Sequence, residues 1–287
     1  IEVPITDSLD VYMYYHTYHQ KPIVNGHVSR TPRWACIFME SAPFVSQLYA
    51  KPRRREDILS QTVDHAEIAP YILGEYDIKY IIVHKRRDTY VQYVHDPRLG
   101  FSPSPWKYFQ RVIGLLNEVF DNPHYEDRYI IAYKFDDYES YDLMAYLRER
   151  KLPFIMLLKG DWYPLRVSHP GTPTRYMAQS ASVELTSNGI NHFQLRFKAF
   201  SFHRPRVLQV LANSEMVGSY LIPSGQETVV TTPVLRAWEG TNVITFYTPD
   251  GCEPLSADNP EAVSVAFQGI EVLPSAPSSV QYKASNP

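Results

Sequence analysis

One run in the second half of the chain alternates without a break. From Asn191 to Ala199, Phe193, Leu195, Phe197 and Ala199 fall on one side, and His192, Gln194, Arg196 and Lys198 on the other. Successive side chains of a strand point to opposite faces, so this run predicts an antiparallel strand with one face in a core and the other in water. Further strands are read at Ala181–Leu185, Arg206–Ala212, Glu215–Ile222, Glu227–Leu235, Asn242–Tyr247 and Val263–Phe267. Turn-forming clusters separate them: Ser187-Asn188-Gly189, Ala212-Asn213-Ser214, Pro223-Ser224-Gly225, Glu239-Gly240-Thr241 and Asp250-Gly251. Strands at a spacing of about 8–12 residues with such turns imply an all-β sandwich.

The first half reads differently. Asp57–Leu73 has helical spacing, with Ile58, Val63, Ile68 and Ile72 on one side, Pro70 interrupting it and Gly74 stopping it. Asp77–His84 is a short β-branched and aromatic run, the signature of a buried strand. Pro105–Phe120 places Trp106, Phe109, Val112, Ile113, Leu116 and Phe120 on one apolar face of a helix. Asp127–Phe135 reads as a strand and Tyr141–Arg150 as a short helix. This order of elements argues for an α/β layer. The expected organisation is an α/β N-terminal domain (1–166), a linker at 167–173, a β-sandwich (174–274) and a Ser/Pro-rich tail (275–287).

Composition narrows the function classes. The 287 residues carry a net charge of -3, and 44% are hydrophobic. A real core follows, and nucleic acid is not an expected partner. Cys36 and Cys252 are too few for a structural zinc site. The chain has no G-x-S-x-G elbow, no phosphate-binding glycine loop and no C-x-x-C pair, so neither cofactor nor metal is expected. No window reaches the ~18 apolar residues of a membrane helix.

The segment Tyr14-Tyr15-His16-Thr17-Tyr18-His19-Gln20-Lys21-Pro22-Ile23-Val24-Asn25-Gly26-His27-Val28-Ser29-Arg30-Thr31-Pro32 reads as a strand, a glycine turn and a polar ledge. Together with Asp77–His84, Gly160–Leu165 and Arg175-Tyr176-Met177, it resembles the extracytoplasmic C-terminal region of bacterial polytopic membrane proteins. Those proteins are similar to GT-C-type glycosyltransferases of the dolichyl-phosphate-mannose mannosyltransferase kind. Two departures stand out: Arg166 occupies a position where the pattern places an acid, and Tyr176 replaces a Trp. The resemblance implies a jelly-roll-like, carbohydrate-binding-module-like sandwich. It places the chain on the extracytoplasmic face of a bacterial cell membrane, attached through a transmembrane region upstream of Ile1. The catalytic acid then lies in a loop between membrane helices outside this chain. The expected role is non-catalytic: holding a glycan acceptor or a protein partner near a membrane active site. Two alternatives stand beside it, a self-contained secreted carbohydrate-active enzyme with a sugar-binding module, and a purely structural or assembly module.

Candidate site residues follow from chemistry. His19, Lys21, Asn25, His27, Ser29 and Arg30 offer several donors on a loop, which suits a sugar or an anionic group. His84 and His95, with Asp88 and Asp96, are weighed as an acid/base set against hydrogen-bonded strand-end residues, and the latter reading is preferred. The basic runs Lys51–Arg55 and Lys85–Arg87 read as solvated loops rather than lipid contacts. An enzyme acting on glycosides needs two carboxylates across one cleft. Glu67, Glu118, Asp136 and Asp137 are the acids available, and their spacing does not require them to meet. In the sandwich, Trp238, Tyr220, Tyr247, Phe200 and Phe202 are the aromatic candidates for stacking on a sugar ring, with Phe200 and Phe202 beside the loop at Ser201 and His203-Arg204-Pro205.

Overall fold

The computed structural model describes residues 1–3, 33–48, 57–61, 63–85, 105–136, 140–168, 172–257 and 259–275. In the first half, β1 (Glu2–Val3), β3 (Tyr80–His84), β4 (Tyr125–Glu126) and β5 (Ile130–Lys134) form a four-stranded sheet in the order β1-β3-β5-β4. The sheet is mixed: β1 is parallel to β3, while β3, β5 and β4 pair antiparallel. Among the described residues four α-helices accompany it: α1 (Arg33–Ser41), α2 (His65–Glu75), α3 (Pro105–Val119) and α4 (Leu143–Glu149). Ile68 and Ile72 of α2, Val112 and Leu116 of α3, and Leu147 of α4 share one buried cluster with Val83 of β3.

Helix α2 starts later than its apolar spacing predicts. Asp64 caps it, its Oδ1 accepting from the amides of Ala66 and Glu67, each at 3.0 Å. Asp57 and Ile58 are drawn elsewhere, and β2 (Leu59–Ser60) joins the sandwich instead. The helix runs through Pro70 and past Gly74. Its stop is Asp77, at φ 51°, with Ile78 N–H donating to Leu73 O at 2.8 Å and Asp77 N–H to Gly74 O at 3.1 Å. That is the paired bonding of a Schellman end, formed here without glycine.

The second half is a β-sandwich. One leaf has the order β11 (Glu215–Ile222), β10 (Arg206–Ala212), β14 (Gly240–Tyr247), β8 (Thr172–Ser187), β6 (Phe154–Trp162). In the other leaf, β17 (Val265–Pro274) lies beside β9 (Asn191–Ser201), whose far edge carries β12 (Thr228–Thr231) and β13 (Leu235–Ala237). Strand β8 belongs to both leaves: its later residues pair with β14 and β6, and Arg175 and Tyr176 pair with β17. The alternation of β9 is observed as read, with Phe193, Leu195, Phe197 and Ala199 buried. Between the leaves, Trp162, Phe197, Phe246 and Phe267 meet edge-on or tilted, with centroids 4.8–6.1 Å apart.

Several expectations are revised. The segment read as one strand over Glu227–Leu235 is two strands, because Pro233 has no N–H to donate to a ladder. The linker read at 167–173 carries paired backbone: β7 (Arg166–Ser168) is antiparallel to Thr172–Thr174. Strand β6 falls outside the strands expected from alternation. It pairs along β8, so residues 154–162 are built into the sandwich. Its two faces serve two cores: Ile155 and Leu157 pack with the N-terminal helices, and Met156 and Leu158 with the sandwich interior.

Candidate functional site

At one end of the sandwich, three strands bring their side chains into register on the outer face. Ala266 of β17 lies opposite Tyr176 of β8 on one side and Phe200 of β9 on the other. Alanine leaves a gap between two aromatic rings, and Phe202 reaches both. Its ring centroid is 5.0 Å from that of Tyr176 and 5.4 Å from that of Phe200, edge-on in each case. All three aromatics are half-buried, and Phe202 links the other two into one aromatic cluster, the ledge.

The loop that carries Phe202 is tightly held. Ser201 Oγ donates to Arg204 O at 2.5 Å, and Arg204 N–H donates to Phe202 O at 2.5 Å. His203 takes φ 58°, in the left-handed region, and its Nε2 lies 2.9 Å from Pro254 O. The ordering of Phe202 therefore precedes any ligand, which lowers the entropic cost of binding.

Polar groups flank both ends of the ledge. At the Tyr176 end, the Arg166 guanidinium lies 5.1 Å from the ring centroid and pairs with Glu261. Glu261 also accepts from Asn259 Nδ2 at 3.3 Å, on the hairpin of β15 (Glu253–Ser256) and β16 (Asn259–Val263). At the His203 end, Arg204 Nε donates to Glu253 Oε1 at 2.8 Å. Arg206, wholly buried, approaches the same oxygen at 3.2 Å and donates from Nη1 to Gly251 O at 2.8 Å. Arginine–carboxylate pairs beside an aromatic surface offer donors and acceptors together, the combination that sugar hydroxyls require.

The other aromatic candidates are distributed elsewhere. Trp238, 51% exposed, stands apart from the ledge with the Arg236 guanidinium over its ring at 3.8 Å. Tyr220 turns inward, its ring edge-on to Phe197. Tyr247 is half-buried on the outer face of the β14 leaf. The ledge was only half legible in sequence: Phe200 and Phe202 stand out beside a loop, whereas Tyr176 lies some two dozen positions earlier and is brought in by β17 pairing alone.

The polar ledge of His19, Lys21, Asn25, His27, Ser29 and Arg30 lies outside the described residues, as do His95, Asp88, Asp96, Asp137, the run 51–55, Arg86 and Arg87. His84 is buried in β3 opposite Ile130. Lys85 donates to Glu126 Oε1 and to Asp127 O, each at 2.5 Å. The acids weighed for glycoside chemistry do not share one partner: Glu67 pairs with Arg150, Asp136 with Lys134, and Glu118 is exposed on α3. Among the described residues, no group of three or more His, Cys, Asp or Glu is arranged to hold a metal ion, and Cys252 is a free thiol.

A buried ionic cluster fixes the junction between the two halves. Arg175 is fully buried; its Nη1 donates to Glu40 Oε2 of α1 at 2.9 Å and to Tyr163 O at 3.1 Å. Burial works against its charge, but Asp57 and Glu40 outweigh it and hold the guanidinium protonated more firmly than usual. Glu40 also accepts from Leu165 N–H at 3.2 Å, so an acid does meet this turn, supplied by α1 rather than by position 166.

No protein-family model and no curated protein matches the chain. Solved structures similar to it include a GH26-CBM35 β-(1,4)-mannanase from Podospora anserina, at 14% identity, covering 44% of this chain and 28% of that one, with a TM-score of 0.33. A family 35 carbohydrate-binding module from an environmental isolate is also similar, at 14% identity, 42% and 92% coverage and a TM-score of 0.31. A third is a family 35 module from Clostridium thermocellum, at 12% identity, 40% and 92% coverage and a TM-score of 0.27. The chain thus spans about a quarter of the mannanase and most of each isolated module. With TM-scores this low, a ligand must be argued from the chain's own residues.

Proposed function

We propose that this chain is a glycan-recognition unit that binds sugar without reacting with it. The observation that carries the reading is the ledge of Tyr176, Phe202 and Phe200, pre-ordered and flanked by Arg166–Glu261 and Arg204–Glu253. A pyranose ring stacks its C–H face on such a surface, and the paired side chains take its hydroxyls.

The resemblance in the sequence extends this proposal. The glycan is then the acceptor of a membrane glycosyltransferase, held beside the active site at the extracytoplasmic face of a bacterial membrane. Tethering of that kind raises local concentration without new chemistry. No helix among the described residues is long and apolar enough to cross a membrane, so attachment would fall to another part of the protein. Reading the gene upstream of the codon for Ile1 tests this extension. Several apolar segments of ~20 residues support it, and a signal peptide or start codon directly upstream removes it.

The ledge itself is tested by calorimetric titration with a panel of neutral and acidic oligosaccharides, comparing wild type with Phe202→Leu. Leucine keeps the apolar packing and removes the π face. Affinity for the bound sugar is expected to fall about tenfold, the equivalent of one lost aromatic contact. Unchanged affinity overturns the ledge as the site.

A further inference from the structure

The two outer faces of the sandwich differ sharply in charge. Across β12, β9 and β17 the outward side chains include the pairs Lys198–Glu227 and Arg196–Glu271. That face is an ordinary solvated one. Across β11, β10 and β14 the outward side chains are Met216, Ser219 and Leu221, Val207, Gln209 and Leu211, and Thr241, Val243, Thr245 and Tyr247, all uncharged, with Glu215 exposed at the end of β11.

Strand register sets this second face out in rows. Ser219, Gln209, Tyr247 and Ser180 lie side by side on four successive strands. The next row is Met216, Leu211, Thr245 and Ser182. In the second row Ser182 Oγ and Thr245 Oγ1 are 3.1 Å apart, and beside the first row Gln179 Nε2 lies 3.4 Å from Tyr247 Oη. Leu221, 70% exposed, and Met216, 64% exposed, rim the face on β11. The second row ends at Lys159, paired with Glu184 at 3.2 Å where the N-terminal half covers the rest of the leaf.

We infer that this uncharged face is a second binding surface, taking a neutral polysaccharide chain laid across the strands. The inference rests on the glycan reading above and adds a separate site and a ligand class. Three observations favour that occupant. Charge is confined to the border, at Glu215 and the Lys159–Glu184 pair, so an acidic or basic ligand meets no counter-charge within the first row, whereas hydroxyls meet amide and hydroxyl groups around Tyr247. Strands recur every ~4.8 Å, close to the advance of one sugar in an extended chain, so each sugar meets a new strand. The open area is small, roughly 15 Å across the strands and roughly 20 Å along them at ordinary strand spacing and rise. Such a patch falls well short of the ~800 Å² per partner of a stable protein interface, yet it suits an oligosaccharide of several units.

The test is calorimetry on the whole chain with β-1,4-linked hexaoses of glucose, mannose and xylose, and a hexagalacturonate as the charged control. Gln209→Arg, and Thr245→Lys as a second variant in case the first fails to fold, place a cation in the middle of a row. The expected result is that a neutral hexaose binds wild type at two sites. Either variant then removes one class, weakening it at least tenfold, in wild type and in a Phe202→Leu background alike. If both variants leave neutral hexaose binding unchanged, the face is not a site, while the ledge stands. If no hexaose binds wild type at all, the glycan reading falls and the face falls with it. If sedimentation shows wild type dimeric at 100 µM and the variants monomeric, the face pairs with a second copy of the chain, which also overturns the proposal.

Discussion

Arg175 grips Asp57 at two points across 118 positions of sequence, Nε to Oδ1 at 2.7 Å and Nη2 to Oδ2 at 2.5 Å. Both guanidinium edges are used, since Nη1 is taken by Glu40. The cluster is a buried charge network with partners on α1, on the segment before β2 and on β8. Removing its centre leaves two carboxylates without their cation. Arg175→Met is expected to lower unfolding free energy by about 3–5 kcal/mol. Arg175→Lys should recover only part of that loss, because an ammonium cannot make the two-point contact. Urea titration checks both, and a loss under about 1 kcal/mol for Arg175→Met would mean the cluster does not hold the junction.

His65 makes stability depend on pH. Its Nδ1 accepts from Phe44 N–H at 2.9 Å, which requires the neutral ring, and burial pulls its pKa below 6.5 despite the nearby Asp64 carboxylate. The folded protein therefore resists a proton that the unfolded chain accepts. Stability conferred by neutral His65 is full above pH 6.5 and declines as pH falls below it, until the lowered folded pKa is reached. Urea midpoints between pH 8 and pH 5 should show a wild-type decline that is shallower in His65→Gln. Parallel curves would assign the pH dependence to other groups.

Gly218 is needed for a neighbour rather than for its own backbone. A Cβ there would lie 2.4 Å from Tyr220 Oη and 2.7 Å from Tyr220 Cζ. Tyr220 is itself held edge-on to Phe197, and burial raises the pKa of its phenol. Gly218→Ala is expected to destabilise by about 1–3 kcal/mol, as overpacking does. The double variant Gly218→Ala with Tyr220→Ala should cost less than the sum of the two single changes, since the clash is gone. Thermal melts of the four proteins measure this coupling.

Leu157 projects from the sandwich into the N-terminal core, whereas Lys159, two residues on, is partly exposed. Leu157→Ala should cost about 2–5 kcal/mol through the cavity it leaves. Lys159→Ala should cost under about 1 kcal/mol, as a partly solvated pair does. Chemical denaturation followed by far-UV dichroism discriminates them. Equal effects would show that β6 does not couple the two cores.

Much of the sandwich was legible because its strands carry their own period. The alternation in 191–199 fixes which side of β9 faces inward, whatever lies around it. Turn clusters likewise mark most strand ends. Strand β6 was not legible as an alternating strand because Ile155-Met156-Leu157-Leu158 is apolar throughout, the pattern of a strand buried on both faces. That pattern specifies burial and does not say which neighbours supply it. The end of α2 misled for a different reason. Gly74 is the residue expected to stop a helix, but Asp77 takes the left-handed conformation, as short polar side chains also can.

By itself, the sequence determined where the chain could be strand or helix and which faces had to be apolar, since side-chain period and turn chemistry act locally. The tertiary structure alone decided that Arg175 would meet Asp57 and Glu40, that β8 would belong to both leaves, and that Tyr176 would stand beside Ala266 in line with Phe200. Those relationships depend on strand register and helix packing between residues far apart in the chain. Local preference is blind to such separations, because the free energy that selects one register is gained only when both partners are buried together.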